Sequence, residues 1–259
     1  MRGDFLEILK ERGYSWGSPS SDGMPSDPGM VAHGTTVLAL KYRDGVLVAG
    51  DRRATAGNVV MHDRTEKVLD LDRHSAMAIA GVPATAFEMA RVLDHSFKYY
   101  RRSQLQELSF EGKLRAVSKL LRDNVPMAVQ GIGAVAPIFA SYDVDTGSGK
   151  IFFYDILGAE FEAVEYAASG SGSATIRGIL YYLDRWGSHT LQRTDESEAI
   201  ALTLRLLESA AEFDSATGGI KKGDGLYPVV KLITQDGIRE VAIDRLAQLY
   251  AEQVEARRV

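Results

Sequence analysis

The chain has 259 residues, 45% hydrophobic and 25% charged, with 25 Gly, 7 Pro and no Cys. That balance describes a soluble globular protein with room for a sizeable core, which excludes collagen-like, disordered and coiled-coil classes. The missing cysteine removes disulfides, thiolate metal sites, iron–sulfur clusters and a cysteine nucleophile, and a formal charge of -5 gives no basic surplus for nucleic acid or anionic membrane.

The opening thirty-odd residues stand apart from the rest. Phe5, Leu6, Ile8 and Leu9 offer a short amphipathic turn or two. Gly13 to Gly29 is too rich in Gly, Ser, Pro and Asp to bury apolar surface. The start lacks the cationic and apolar regions of a secretory signal, and no apolar run approaches the roughly 20 residues that span a bilayer. A cytoplasmic location is expected. The segment reads as a tail, or as a leader removed later.

From Thr35 the pattern changes. Thr36 to Leu40 and Val46 to Gly50 are apolar runs joined through Arg43-Asp44-Gly45, a hairpin signal. Further strands are expected at 59–61, 67–71 and 76–80. Apolar residues at three- and four-residue spacing predict helices over 84–101 and 110–130. Strands return at 134–142 and 150–155 around Asp145-Thr146-Gly147-Ser148-Gly149, and a third near 161–167 runs into Ser169-Gly170-Ser171-Gly172. Helices follow at 174–186 and 196–213, then a hairpin, 229–234 with 238–241, and a last helix from Asp244. No internal repeat stands out. This order is neither the alternation of a parallel α/β fold nor an all-β sandwich. An α+β fold of two packed antiparallel sheets, with helix pairs outside, covers every face.

Several motifs fail their context. Gly131-Ile132-Gly133-Ala134-Val135-Ala136 has dinucleotide-loop spacing but follows a helix instead of a strand. Gly170-Ser171-Gly172 sits correctly between strand and helix but lacks a third Gly; it remains a candidate anion-binding helix start. No Gly-Lys-Ser/Thr loop occurs. The five histidines, at 33, 62, 74, 95 and 189, have no metal spacing. No cofactor and no metal are expected.

What remains is His33-Gly34-Thr35-Thr36-Val37 at the first strand, Ala49-Gly50-Asp51-Arg52-Arg53 after the second, Lys67, and Ile79-Ala80-Gly81. Singly these are a strand threonine, a turn aspartate and a solvated lysine. Together with Gly170-Ser171-Gly172-Ser173 and Asp214-Ser215-Ala216-Thr217-Gly218-Gly219, the chain over residues 35–259 resembles the β subunits of the 20S proteasome, the N-terminal-threonine peptidases, most closely the bacterial, actinobacterial type.

The resemblance implies the four-layer αββα sandwich of the N-terminal nucleophile hydrolases. It implies a propeptide, residues 1–34, removed by self-cleavage between Gly34 and Thr35, and a catalytic domain over 35–259. A threonine hydroxyl is a poor nucleophile and needs an adjacent base. A freed Thr35 α-amine, with a reference pKa of about 7.7–8.0, is suited to that task. By resemblance, Lys67 and Asp51 tune the nucleophile, Ser171, Asp214 and Thr217 orient the amine, and the Gly81 N–H faces the oxyanion. Thr217 stands where the family often has serine. Arg53, Ala54, Thr55, Thr65, Leu69, Ile79 and Pro83 are implied to bind substrate. Ala54, Thr65, Leu69, Ile79 and Pro83 would form the wall for the side chain before the scissile bond. Because none of those five is charged, cleavage after large apolar residues is expected, and Ile79→Arg is expected to shift it toward acidic ones.

The implied partners are proteasome α subunits, seven-membered β rings stacked as α7β7β7α7, a regulatory ATPase ring acting through the α ring, and polypeptide substrates, with no nucleic acid and no membrane. Three alternatives stay open: a non-catalytic β subunit, the smaller heat-shock peptidase of bacteria, or an amidase acting on a small molecule. The heat-shock peptidase is shorter and lacks a long leader. A structural ring protein would keep its leader attached.

Overall fold

Strand β1 (Thr36–Tyr42) and strand β2 (Gly45–Gly50) are nearly continuous apolar runs because both of their faces are covered. They pair antiparallel through a two-residue turn at Arg43 and Asp44, with Tyr42 opposite Gly45. This computed structural model describes residues 34–56, 59–131, 133–187 and 191–257. Residues 1–33 of the expected leader, including the Phe5–Leu9 turn, lie outside the described residues.

Two five-stranded antiparallel sheets carry the fold. The first has the order β10-β1-β2-β11-β12, where β10 is Tyr166–Gly170, β11 Val229–Thr234 and β12 Gly237–Glu240. The second has the order β5-β6-β7-β8-β9, comprising Val68–Asp70, Ser75–Ala78, Ile138–Asp143, Ser148–Tyr154 and Glu160–Ala163. A separate hairpin, β3 (Ala54–Ala56) with β4 (Val59–His62), stands outside both. Helices α1 (Pro83–Gln104) and α2 (Phe110–Val129) cover the second sheet; α3 (Ser173–Trp186), α4 (Glu196–Phe213) and α5 (Ile243–Leu249) cover the first.

Three buried clusters correspond to the three interfaces of four layers. Between the sheets lie mostly small side chains, with Val37, Ala39, Val46 and Val48 from the first against Val68, Ala76, Ala78 and Ala140 from the second, and Ile138, Ile151 and Ile233 among them. The alternate residues of the same strands, Leu38, Leu40 and Leu47, turn outward and pack against Ile176, Leu180, Leu204 and Leu207 of α3 and α4. On the far side Met77, Phe139 and Phe152 meet Leu93, Phe97, Val117 and Leu121 of α1 and α2. Strand period two sorts the sizes: small residues let the sheets approach, and large ones fill the gap beneath the helices. The arrangement is the αββα sandwich expected from the sequence.

Helix ends follow local chemistry. Pro83 opens α1, where its missing N–H is harmless. Ser109 caps α2 by accepting from the Gly112 N–H, and Asp195 and Glu198 form a capping box on α4. Among the described residues no helix is long and apolar enough to cross a membrane.

Two differences from the sequence expectation are informative. The single strand expected near 161–167 is two strands, β9 in the second sheet and β10 in the first. The chain changes sheets at Val164 and Glu165, a step that alternation within one run does not report. The strand expected from Ala134 begins at Ile138, directly after Pro137, which has no N–H for a ladder.

Phe139 is fully buried in central strand β7, beside Phe110 with ring centroids 6.4 Å apart. Phe139→Ala is expected to destabilise the chain by about 3–5 kcal/mol, seen as a lower denaturant midpoint at unchanged slope.

Candidate active site

Thr35 and Asp51 are brought together by antiparallel geometry. The start of β1 lies beside the end of β2, with Val37 opposite Gly50, and beside the end of β10, with Thr36 opposite Gly170. Thr35, Asp51 and Ser171 therefore emerge from adjacent strand ends. Lys67 arrives from the opposite sheet, just before β5, and Asp214 and Thr217 from the loop that leaves α4.

Asp51 is fully buried and its carboxylate is fully engaged. Its Oδ1 accepts from the Thr36 N–H at 2.9 Å and from Lys67 Nζ at 2.6 Å. Its Oδ2 accepts from the N–H groups of Arg53 at 2.9 Å and Gly218 at 2.8 Å. Lys67 is only 2% exposed. Burial pushes its ammonium below the ordinary lysine range, with Asp51 pulling the other way and Arg53 adding slightly to the lowering. A lysine held so can present positive charge without surrounding water.

A second network bonds the backbone of Thr35, a buried residue. Ser171 donates its backbone N–H to the Thr35 carbonyl at 2.8 Å, and its hydroxyl to Asp214 Oδ2 at 2.6 Å. Thr217 donates to the same Asp214 oxygen at 2.6 Å, and Ala216 N–H to Asp214 Oδ1 at 3.1 Å. Thr217, standing where the resembled family often has serine, makes a hydroxyl bond to Asp214. A threonine at a strand start, with a buried Lys–Asp pair and a Ser–Asp–Thr network bonded to the adjoining backbone, is an arrangement suited to acyl transfer.

Gly81 has φ +116°, and a Cβ there would run into the Ala134 carbonyl. It faces Val135 in an isolated bridge whose hydrogen bonds come from the N–H groups of Val82 and Ala136, so neither uses the Gly81 N–H. In such a pair that N–H points away from its partner strand.

The other predicted residues are distributed more widely. Gly34 donates its N–H to Thr55 Oγ1 at 2.9 Å, fixing the residue before Thr35 against β3. The Arg53 guanidinium is turned onto the protein: it bonds the carbonyl of Ser215 at 2.9 Å and the carboxylate of Asp63 at 3.1 Å. Ala54 is in β3, Leu69 in β5 and Pro83 at the start of α1, all half-buried; Thr65, also half-buried, hangs its N–H on the Arg52 carbonyl. Ile79 is 3% exposed and belongs to the cluster beneath α1, with Leu71, Met77 and Ala86. Ile79→Arg would force a charge into that cluster, so its effect on preference is inseparable from lost stability.

Sequence reasoning did not single out Thr36, Asp63 or Gly218 as site residues. Asp63 joins Arg53 to Lys221, whose hydrogen bond holds the Asp63 carboxyl below its usual range. Adjacency to Thr35 was the one available signal for Thr36; for Asp63 there was none.

Comparison with known proteins identifies the family. The family described as Proteasome subunit matches residues 31–221. Proteasome subunit beta 2 of Thermomonospora curvata is 41% identical over 228 residues, 88% of this chain and 79% of that protein. Proteasome subunit beta of Acidimicrobium ferrooxidans is 37% identical over 249 residues, covering 96% and 88%. That of Acidothermus cellulolyticus is 39% identical over 234 residues, covering 89% and 78%. The chain belongs to the proteasome subunit family, as a β-type catalytic subunit of the 20S particle, a threonine endopeptidase that assembles with α subunits.

Proposed function

We propose that Thr35 becomes the N-terminal nucleophile after cleavage of the Gly34–Thr35 bond, and that the subunit cuts unfolded polypeptides into short peptides after large apolar residues. The observation that carries this reading is that two networks close on the backbone around Thr35: Ser171, paired with Asp214, bonds the Thr35 carbonyl, and Asp51, paired with Lys67, bonds the N–H of Thr36. In the first step the α-amine, directly or through a water, takes the Oγ proton while Oγ attacks the substrate carbonyl carbon. The negative charge that develops on the carbonyl oxygen is met by the Gly81 N–H. The amine then passes its proton to the leaving amide nitrogen as the C–N bond breaks, leaving an ester on Thr35. Water, deprotonated by the same amine, hydrolyses the ester and restores the hydroxyl.

Lys67 supplies positive charge near the nucleophile, and Asp51 holds it in place. Ser171 and Asp214 orient the amine. Removal of residues 1–34 uses the same Oγ on the Gly34 carbonyl. The working particle is an α7β7β7α7 stack in the cytoplasm, fed through the α ring by an ATPase ring. A small-molecule amidase of related fold would instead work without a large ring assembly, which gel filtration of the processed chain separates from this reading.

Thr35→Ala removes Oγ, so peptide hydrolysis is expected to vanish and the leader to persist, read by intact mass. Leader removal in a particle made only of that variant would rule out self-processing. For Lys67→Ala the expected result is a loss of at least about a hundredfold in kcat, because Asp51 loses its buried partner. Lys67→Arg should recover little of it, since a guanidinium differs in shape and does not give up a proton. Activity within about twofold of wild type in either variant would make the lysine structural.

Preference is measured with fluorogenic peptides that differ only before the scissile bond. Burying a Leu, Phe or Tyr side chain contributes roughly 1.5–3 kcal/mol, so these should be cut about 10- to 150-fold faster than Asp or Lys peptides. Ala54→Phe, which narrows the wall, should reduce cleavage after Phe and Tyr more than after Ala. Faster cleavage after charged residues by the wild type would refute the apolar wall.

A further inference from the structure

The mechanism above makes no use of the Thr36 hydroxyl, although Thr36 is fully buried at the centre of the site. Thr36 Oγ1 lies 2.6 Å from Thr217 Oγ1 and 3.0 Å from the Gly172 amide nitrogen. The direction of these bonds follows from valence. A carboxylate only accepts, so the single hydroxyl proton of Thr217 goes to Asp214 Oδ2. Thr36 must then donate to Thr217, and its own oxygen accepts from the Gly172 N–H. The result is a one-way chain, Gly172 to Thr36 to Thr217 to Asp214, in which each bond polarises the next. Gly172 leaves room for it: a Cβ there would stand 2.7 Å from both threonine hydroxyls.

We propose that Thr36 is a positioning residue for proteolysis, whose hydroxyl fixes Thr217 and through it the Asp214–Ser171 pair that orients the Thr35 amine. The proposal rests on Thr35 being the nucleophile. It differs from a structural role for Thr36 in one respect: the hydroxyl acts on turnover only by way of Thr217. The backbone N–H of Thr36, bonded to Asp51, is a separate contact that side-chain substitution leaves in place.

The test uses assembled particles of the full chain with α subunits, with turnover normalised to the number of processed Thr35 N-termini found by intact mass. Thr36→Val keeps the shape and deletes the hydroxyl; kcat should fall about tenfold or more while KM stays within about twofold. Thr36→Ser, which keeps the hydroxyl, should stay within about threefold of wild type. Combined with Thr217→Ala, Thr36→Val should add nothing to the loss from Thr217→Ala alone, because the path is already cut. If Thr36→Val does not assemble, Thr36→Ala serves in its place. A kcat within about twofold of wild type for the hydroxyl-less variant, multiplying losses in the double variant, or a serine no better than valine would each overturn the proposal. Thr35→Ala runs alongside: hydrolysis persisting there would overturn the nucleophile assignment itself, whereas its loss beside an unaffected Thr36→Val would overturn only the role of Thr36.

Discussion

The buried carboxylate of Asp51 is the interaction on which the site depends. Taking a charge out of water is expensive, and it is tolerated only when every lone pair finds a donor. Here the donors come from four places: Thr36 at the start of β1, Arg53 leading into β3, Lys67 from the opposite sheet, and Gly218 beyond α4. Each segment is held because the others are. Removing one member of such a buried pair leaves an uncompensated charge and costs about 3–5 kcal/mol. Stability and the shape of the site therefore share one constraint: the carboxylate that makes Lys67 tolerable in the interior also holds the N–H of Thr36 at the start of β1.

The sandwich explains why these segments meet. In an antiparallel sheet the start of one strand is flanked by the ends of its neighbours. Strands β10, β1 and β2 thus deliver Ser171, Thr35 and Asp51 to one edge by register alone. The small Val and Ala residues between the sheets bring the second sheet close enough for Lys67 to reach across. The Leu-rich outer face seats α4, whose end projects the Asp214 loop onto the same edge. Size sorting along alternating strand positions is in this sense a device for building the site.

Within that edge the two networks differ in character. The Asp51–Lys67 pair is buried and shut off from water, so its electrostatics are strong and its position is rigid. The Asp214–Ser171 pair is more open: Asp214 is half-buried and Ser171 exposed. An open network admits the water and substrate that a hydrolase must exchange. Thr36 and Thr217, both buried, bridge the closed half to the open one. Arg53, clamped between Asp63 and the Ser215 carbonyl, ties the outer hairpin region to the same loop.

Much of this was legible in the residues themselves. Continuous apolar runs, the 3.6-residue period of the helices and glycine-bearing turns determine the elements and their order, because those signals are local. The motifs around Thr35, Asp51, Arg53, Lys67, Gly81, Ser171 and Asp214 carry the resemblance to the family, and with it the expectation of the layered fold. Tertiary structure alone decided the rest. Whether residues 160–170 form one strand or two depends on which sheet each half pairs with, and that is a long-range choice. Three-residue β3, Ala-Thr-Ala, is too short for any period to show. The burial of Ile79 and the inward turn of Arg53 depend on partners brought close by folding. The role of Thr36 could not be read at all from its place beside Thr35, since a hydroxyl's direction is set only by the donors and acceptors that the fold closes around it.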